Sequence, residues 1–488
     1  MSGTRVVVIG GGITGLSLAF TLEEEARARG ADVDVTLFDA GAPGGHARTI
    51  REDGFLVEGG PNGFLDREAA TRQLVKALGL ESELVEARPE AKRRFIVRNG
   101  RLCAVPDSPR SLLTTGALTW RGKIRLLAEP FAAGPPAGVD ETVYEFSRRR
   151  IGREAAEMLV DAAVAGISAG DSHALSVRSQ FPMMVDMERD HGSLIRAMIA
   201  RRRQGKKPAP LVSFRGGMAT LTGALTDTLG ARVRSNTAVR SIAPRGDSWI
   251  VNTLQGDAVT ADRIVLAVSA RVAAELVRGF DADLRESLLR IPYSGINLVA
   301  LAYRKQDVPR PLDAYGYLVT RPEGLATLGV VWESSLFPGR APDDMALLRV
   351  FLGGAREPDV AGLREADALA IARDELRHVM GIAAEPVRVW DFRWPSAIAQ
   401  YTVGHDERVA AIRAAVAKHP GLDVCGTSYD GVSFNNAIAA SRRTAKTLAN
   451  DLKNFEVRTS ANVGRGFSPA GHAGPKGYDE QPSCLSTT

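Results

Sequence analysis

The residues whose spacing most clearly indicates chemistry lie at the start of the chain. Gly10, Gly12 and Gly15 form a G-x-G-x-x-G motif, with Thr14 inside it. In such a motif the first glycine permits a tight turn, the second lets the backbone approach a pyrophosphate, and the third lets a helix pack against a strand. The spacing therefore predicts a dinucleotide-binding turn.

The elements around this motif are those that it needs. Val6–Ile9 is a continuous apolar run typical of a strand that is buried on both faces. Ile13 and Leu16 share one face of the helix that follows, and the N-terminus of that helix offers N–H groups and a positive dipole end to phosphates. A second apolar run, Val33–Phe38, ends at Asp39, 24 residues beyond Gly15, near the distance at which a carboxylate accepts from ribose hydroxyls.

A second glycine pair follows that strand. Gly44, Gly45 and Arg48 lie in a G-G-x-x-R-T segment. This segment resembles the signature of the flavin-containing amine oxidase superfamily, although Pro43 stands where an arginine is often found. The resemblance implies that FAD is the cofactor, that the two glycines approach its pyrophosphate and that Arg48 reaches the pyrophosphate oxygens.

The C-terminal part of the chain is predicted to return to the same site. Residues 422–425 read as a short buried strand, and an alanine-rich helix runs to about Leu452. The positive N-terminal end of that helix would stabilise an anionic reduced flavin. We assign Gly426, Val432 and Ser433 to the cofactor, and the resemblance places the backbone of Val239 at the adenine.

Further motifs narrow the resemblance. The chain is similar to the protoporphyrinogen and coproporphyrinogen oxidases of haem biosynthesis in five segments, which occur in the same order: 58–65, 166–182, 328–338, 392–405 and 426–432. Together with the N-terminal motifs they span almost the whole chain. The resemblance implies a six-electron oxidation of a porphyrinogen to a porphyrin, with three molecules of O₂ as acceptor and H₂O₂ as product.

The same resemblance assigns residues to the two ligands. A backbone carbonyl of Gly170, with Ala169 beside it, would orient a pyrrole ring. Leu318 and Trp332 would enclose the macrocycle, since such chemistry needs positioning and apolar walls more than an acid–base pair. Further cofactor contacts are assigned to Gly60, Pro61, Asn62 and Trp394.

Asn62 is also assigned to the substrate, and it departs from the family pattern. Plant and animal members usually have an arginine here and use it on a propionate, whereas asparagine carries no charge. Another cation must then serve the propionate, and Arg67, Arg94 and Arg178 are the candidates. Sequence alone leaves the choice among them open, as it does the choice between protoporphyrinogen IX and coproporphyrinogen III.

The predicted fold is α/β, with a Rossmann-like FAD-binding domain of the amine-oxidase and glutathione-reductase type. This domain is discontinuous and comprises residues 1–75, 211–285 and 396–453. A helical domain at the substrate entrance, facing a membrane, comprises 86–210, and a mixed α+β substrate domain comprises 286–395. Residues 455–488 are rich in Gly, Ser and Pro and are predicted to be a disordered tail.

Composition excludes several classes of protein. The 488 residues carry 62 Lys and Arg against 57 Asp and Glu, a net charge of +5 that is too dilute for a nucleic-acid binder. Glycine is in excess, with 49 residues against 25 prolines, and the motifs above account for part of that excess. The three cysteines are far apart and no C-x-x-C occurs, so we predict no metal site and a cytoplasmic enzyme.

Several alternatives stay open at this point. The basic run 201–207 suits either a solvated loop or peripheral contact with the inner face of the cell membrane, and a homodimer is compatible with the sequence. The same scaffold also serves flavin amine oxidases and carotenoid-type desaturases. A catalytically silent flavin- or haem-binding protein would account for the departures at Pro43, Asn62 and Glu333.

Overall fold

The computed structural model describes residues 3–136, 138–205 and 208–463, with side chains as far as Leu452. The strands are β1 (Thr4–Ile9), β2 (Val33–Phe38), β3 (Thr49–Glu52), β4 (Phe55–Glu58), β5 (Phe64–Leu65), β6 (Leu84–Glu86), β7 (Phe95–Arg98), β8 (Arg101–Ala104), β9 (Leu211–Phe214), β10 (Val233–Arg234), β11 (Val239–Arg245), β12 (Ser248–Thr253), β13 (Ala258–Ala261), β14 (Arg263–Leu266), β15 (Tyr293–Arg304), β16 (Gly316–Val319), β17 (Thr327–Trp332), β18 (Met345–Gly353), β19 (Arg388–Ala399) and β20 (Leu422–Val424).

The helices are α1 (Ile13–Arg29), α2 (Ala69–Ala77), α3 (Pro109–Thr114), α4 (Trp120–Leu127), α5 (Val143–Ile151), α6 (Arg153–Ala155), α7 (Asp161–Ser168), α8 (Val177–Gln180), α9 (Pro182–His191), α10 (Leu194–Arg203), α11 (Ala219–Leu229), α12 (Ala270–Val277), α13 (Ala282–Leu289), α14 (Glu333–Leu336), α15 (Glu365–Met380), α16 (His405–Val416) and α17 (Phe434–Val463). A π-helical turn, Ala156–Val160, joins α6 to α7.

A five-stranded parallel sheet forms the centre of the nucleotide-binding part. Its strand order is β10-β2-β1-β14-β20, so neighbouring strands come from distant parts of the chain. Helices α1 and α17 pack together on this sheet, and the hydroxyl oxygens of Ser17 and Ser441 lie 2.5 Å apart between them. The predicted Rossmann-like α/β fold is confirmed.

A seven-stranded sheet of order β19-β15-β18-β17-β16-β7-β8 forms the second body of the fold. One of its faces packs on α15, in a core that contains Tyr303, Leu348 and Trp332. Because side chains alternate between the two sides of a strand, the other face carries a second set of side chains. This set packs towards α7 and β4. The candidate site lies at this second face.

The C-terminal end of the last helix differs from the sequence-based expectation. Helix α17 was expected to end near Leu452 and continues to Val463. The rest of the predicted tail, residues 464–488, and the Lys206–Lys207 end of the basic run lie outside the described residues. Within the described ranges, no helix combines the length and hydropathy that a bilayer crossing requires.

Candidate functional site

The glycine turn between β1 and α1 has the geometry of an anion site. A side chain at Gly15 would stand 1.9 Å from the Gly10 carbonyl oxygen, so only glycine allows this helix to approach the strand. A side chain at Gly12 would meet nothing within 4 Å. Helix α1 begins after Gly12 with no capping side chain and no acidic residue in its first turn, so its N–H groups and positive end face this open space.

Asp39 lies beside the turn. Its carboxylate accepts from the Gly11 N–H at 2.6 Å and from the Gly41 N–H at 2.8 Å, which fixes its orientation. Each carboxylate oxygen accepts more than one hydrogen bond, so capacity remains for ribose hydroxyls. The backbone at Thr237 donates to the Asp39 carbonyl at 2.7 Å, which brings the neighbouring Val239 to the same edge.

The second glycine pair packs directly on the first turn. The Gly44 N–H donates to the Gly11 carbonyl at 2.8 Å, and a side chain at Gly45 would stand 3.2 Å from the Gly12 α-carbon. The Arg48 side chain is exposed and free to reach outwards, while its carbonyl accepts from the Gly59 N–H at 2.7 Å. The G-G-x-x-R segment therefore lines the open space beside Gly12.

The C-terminal loop closes the same space. Gly426 has φ +129°, and a side chain there would meet the Thr14 hydroxyl at 3.5 Å. The Ser433 hydroxyl accepts from the Asn436 N–H at 3.1 Å and so caps α17. Sequence reasoning missed Tyr401, whose hydroxyl donates to the Thr427 carbonyl and accepts from the Gly431 N–H, at 2.8 and 2.7 Å. Two helix N-termini thus meet at one site, which fits the pyrophosphate and flavin of FAD.

The loop after β4, residues 59–62, connects this site to the seven-stranded sheet. The Trp394 indole N–H donates to the Gly59 carbonyl at 2.7 Å, and a side chain at Gly60 would stand 2.0 Å from the His46 carbonyl oxygen. Pro61 follows, and the buried Asn62 amide donates to the Glu333 carboxylate at 3.2 Å. The predicted cofactor residues Gly60, Pro61, Asn62 and Trp394 are therefore neighbours.

The sheet face above this loop is an apolar wall. Strand register aligns Leu318, Gly329 and Phe351 in one row across β16, β17 and β18. Leu318 leans over Gly329, where an added side chain would meet the leucine methyl at 3.0 Å. Helix α7 crosses the row at Gly166, which leaves room for Leu318 and lies next to the exposed Ile167. Sequence reasoning assigned Leu318 to the substrate wall and named neither Phe351 nor Ile167.

The assignment of Trp332 to this wall is corrected by the structure. Trp332 is 0% exposed and its ring lies against Phe95 on the α15 side of the sheet, with the Arg310 guanidinium 5.3 Å from the ring. It therefore points away from Leu318, and the two side chains cannot enclose one ligand. Phe351 is the partly exposed aromatic residue beside Leu318.

Gly170 and Ala169 lie where α7 ends, and their assignment to the substrate stays a prediction. Both residues are buried, and Gly170 lies behind Leu175 and Gln400. The Ala169 carbonyl already accepts from the Ala355 N–H at 2.7 Å, and Ala169 itself has φ +48° where it ends α7. These contacts shape the end of α7 and leave the Ala169 carbonyl already bonded within the protein.

The structure separates the three candidate cations. Arg178 is paired with Asp406 and Glu407, at 3.1 and 2.8 Å. Arg67 is exposed beyond β5. Arg94 is exposed beside the wall, and its guanidinium lies 5.0 Å from the ring of Tyr315. Burial raises the pKa of Tyr315, so this hydroxyl stays protonated and able to donate.

Comparisons with known proteins bear on this arrangement. A family model described as flavin containing amine oxidoreductase matches residues 13–449. The chain is 30% identical to coproporphyrinogen III oxidase of Bacillus subtilis (strain 168), covering 89% of this chain and 95% of that protein. It is 28% identical to protoporphyrinogen oxidase 2 of Arabidopsis thaliana, covering 93% of this chain and 95% of that protein.

Solved structures show the same fold. A crystal structure from Exiguobacterium sp. 255-15 that carries a provisional protoporphyrinogen oxidase name superposes with a TM-score of 0.80 at 25% identity, covering 92% of this chain and all of that one. Cyclohexylamine oxidase from Brevibacterium oxydans superposes with a TM-score of 0.67 at 18% identity, covering 92% of this chain and 100% of that one.

Proposed function

Because the chain belongs to the flavin containing amine oxidoreductase family and is similar to porphyrinogen oxidases over most of its length, we propose that it oxidises a porphyrinogen to the porphyrin in haem biosynthesis, with FAD as cofactor. The substrate is protoporphyrinogen IX or coproporphyrinogen III. The observation that carries this proposal is the apolar wall of Leu318 and Phe351 next to the 59–62 loop.

The FAD would be held by the residues whose backbones meet at the glycine turn. Gly12, Gly44 and Arg48 would contact the pyrophosphate, and Asp39 would accept from the ribose. Gly426, Val432 and Ser433 would lie at the flavin ring, beside the N-terminus of α17. When bound, the cofactor supplies the acceptor for two electrons in each of three successive oxidations.

The chain's own residues would bind and orient the substrate and exclude water from it. Leu318 and Phe351 would contact one face of the macrocycle, beside α7, whose Gly166 packs against Leu318 and whose Ile167 is exposed. Apolar contact of this kind holds a substrate methylene bridge in a reactive geometry without a dedicated proton-transfer pair. The carboxylate side chains of the substrate would remain at the edge of the wall.

Arg94 is the cation that we assign to a propionate. Its guanidinium is exposed at the wall beside Tyr315, and Asn62 adds a neutral donor below it. Arg94→Met should raise KM for the porphyrinogen about tenfold or more, because a charge-assisted hydrogen bond is lost, while kcat changes less. Arg178→Met is the matched control, since that guanidinium is already paired with carboxylates.

For the electron acceptor we propose O₂, reduced to H₂O₂. Conversion of one porphyrinogen to one porphyrin removes six electrons and six protons, which reduces three O₂ to three H₂O₂. An oxygen electrode with and without catalase measures this ratio alongside porphyrin fluorescence. Porphyrin formation at an undiminished rate without O₂, with a quinone present, would contradict O₂ as the required acceptor.

The test of the main proposal is a direct assay of both porphyrinogens. Purified yellow protein should convert at least one of them to a fluorescent porphyrin, and the ratio of the two kcat/KM values identifies the substrate. Flavin reduction by amines, with neither porphyrinogen oxidised, would instead support the amine oxidase alternative. Stable flavin with no reduction by either class would support a binding protein.

We also propose peripheral contact with an anionic lipid surface through α4. This helix buries Gly122 and Lys123, whose ammonium group donates to the Leu113 carbonyl at 2.8 Å. It exposes the large apolar side chains of its other face and of the turn that follows: Trp120 at 64%, Ile124 at 65%, Leu127 at 51% and Phe131 at 87%. Exposed Arg110 and Arg121 flank them, which suits anionic headgroups.

Vesicle flotation tests this contact. The protein should float with vesicles of phosphatidylglycerol and phosphatidylcholine, and the Ile124→Asp/Phe131→Asp double variant should not. Leu254→Asp is the matched control, because Leu254 is 67% exposed in the β12–β13 hairpin. A double variant that floats as well as wild type, or a wild type that binds no vesicle, would contradict the proposal.

A further inference from the structure

Two arginines and two glutamates are buried together where the seven-stranded sheet meets the 59–62 loop. Glu58, Glu333, Arg340 and Arg349 are each 0–1% exposed. Arg349 on β18 pairs with the Glu333 carboxylate at 3.1 Å, and Arg340 lies 3.8 Å from the same carboxylate and 3.9 Å from that of Glu58. Groups of this kind are costly to bury unless their charges are compensated.

Arg349 makes two further contacts, with groups that carry no net charge. Its second guanidinium nitrogen donates to the Gly60 carbonyl, in the loop that we place at the flavin. The guanidinium also lies 5.1 Å from the ring centroid of Phe351, two residues along the same strand. One side chain therefore touches both the cofactor loop and the aromatic residue of the substrate wall.

Glu333 extends the connection to the end of the loop. Its carboxylate oxygen that pairs with Arg349 also accepts from the Asn62 amide, at 3.2 Å. Trp394 holds the Gly59 carbonyl from β19. The side-chain contacts that hold residues 59, 60 and 62 in place thus come from the seven-stranded sheet and from Glu333 at the start of α14, across the boundary between the two bodies of the fold.

The geometry points to Arg349 as a positioning residue that fixes the distance between the 59–62 loop and the ring of Phe351. This inference rests on the proposed function, because it takes the loop as the flavin side and Phe351 as the substrate side. The guanidinium is planar and has donors on two edges, so it can bind Glu333 and the Gly60 carbonyl at once, whereas a lysine ammonium provides one point charge on a flexible stem.

The physical consequence is a fixed reaction distance. The Gly60 carbonyl has no freedom to move away from β18 while Arg349 holds it, and Phe351 follows β18. A shift of about 1 Å between reacting groups can lower a rate a hundredfold. Removing the arginine should therefore lower kcat more than it raises KM, and the change should be visible in the flavin itself.

The test uses a double variant that avoids an uncompensated buried charge. Arg349→Met alone would leave Glu333 buried without its closest cation, so Arg349→Met/Glu333→Gln is the informative protein. We expect it to fold and keep flavin, with kcat lowered about tenfold or more and an altered visible circular dichroism spectrum of the flavin. The single variant Arg349→Lys keeps a positive charge beside Glu333, but its kcat should also be low. A lysine ammonium cannot hold both the Glu333 carboxylate and the Gly60 carbonyl.

Two further proteins separate positioning from a merely structural role. Phe351→Leu should raise KM and leave the flavin spectrum unchanged, since it alters the substrate wall alone. Arg373→Met, on the helix that covers the other face of the same sheet, should change neither, because its ion pair with Glu385 lies near the surface.

The outcomes are distinct. A double variant with wild-type kcat and an unchanged flavin spectrum would overturn the inference, as would a loss of thermal stability with normal kinetics. If wild-type protein oxidises neither porphyrinogen, the proposed function fails, and the flavin spectrum of the double variant still reports whether Arg349 sets the loop.

Discussion

At the scale of single residues, two of the three departures from the family pattern, Asn62 and Glu333, explain each other. Asn62 and Glu333 stand at matched positions and are bonded to one another, and Arg349 compensates the charge of Glu333. A neutral amide at position 62 suits this arrangement, because an arginine there would compete with Arg349 for the same carboxylate. The departures therefore reflect a rearranged local network and give little support to a catalytically silent protein.

His405 should make the protein less stable in weak acid. The residue is 2% exposed, stacks on Tyr401 at 3.7 Å, and both ring nitrogens lack a hydrogen-bond partner among the described residues. Burial, assisted by the charge of Arg408, lowers the pKa of His405 to about 4. In the unfolded chain a histidine has a pKa near 6.5 and so takes up a proton first as the pH falls, which favours unfolding between about pH 6.5 and 4.

The expected loss is about 2 kcal/mol of unfolding free energy between pH 7.5 and 5. His405→Phe keeps an aromatic ring on Tyr401 and removes the titration, so its stability should fall less over that range. Urea denaturation of both proteins at the two pH values measures the difference. Equal pH dependence in wild type and variant would show that His405 does not carry the effect.

Trp332 should act on stability and not on the substrate. It is 0% exposed in the core against α15, and its indole nitrogen has no partner among the described residues. Trp332→Ala should cost about 3–5 kcal/mol of unfolding free energy, whereas Trp332→Phe also removes the unsatisfied donor and should cost much less. Urea midpoints and porphyrinogen KM are measured together. A Trp332→Phe protein of normal stability with a strongly raised KM would return Trp332 to the substrate site.

At the scale of elements, a substitution in the β1–α1 turn should affect cofactor binding without affecting folding. Gly12 has φ −73° and ψ 179°, an extended conformation that any residue adopts, and a side chain there points into open space. Gly12→Val should therefore fold and lose flavin, because the new methyl groups occupy the space of the pyrophosphate. The ratio of absorbance at flavin and protein wavelengths should fall at least about tenfold.

Gly223→Ala on α11 is the control for that experiment, since its side chain also meets nothing within 4 Å. This variant should retain flavin and gain a few tenths of a kcal/mol in stability, as alanine is a better helix former. A Gly12→Val protein that keeps its full flavin would exclude the turn as the pyrophosphate site.

The strands show which parts of this site could be predicted from sequence. The glycine turn and Asp39 could be placed, because their spacing is set by local backbone geometry. The face on which Trp332 lies could not, since neighbouring residues of a strand point to opposite sides and β17 carries a bulge between Thr327 and Gly329 that changes the register. No sequence motif identified Phe351. It comes beside Leu318 only through the pairing of β18 with β17.

At the scale of the whole molecule, the nucleotide-binding sheet is assembled from distant parts of the chain. Strand β20 is its last strand and pairs with β14, and α17 packs along α1. The side chains of α17 that face the core are almost fully buried: Ala437, Ile438, Ala440, Ala445, Leu448, Ala449 and Leu452. The cofactor site therefore depends on contacts that form after most of the chain has been made.

A chain that ends at Pro420 should consequently fail to bind flavin. It lacks β20 and α17, so β14 becomes an exposed edge strand and the apolar side chains of α1 lose their cover, at about 1–3 kcal/mol for each large side chain exposed. The truncated protein should be insoluble or colourless. Coexpression of residues 421–488 as a separate polypeptide should restore part of the yellow, soluble protein, since these residues complete the sheet edge and the helix pair. A soluble 1–420 protein that retains flavin would show that the site is complete without its C-terminal strand and helix.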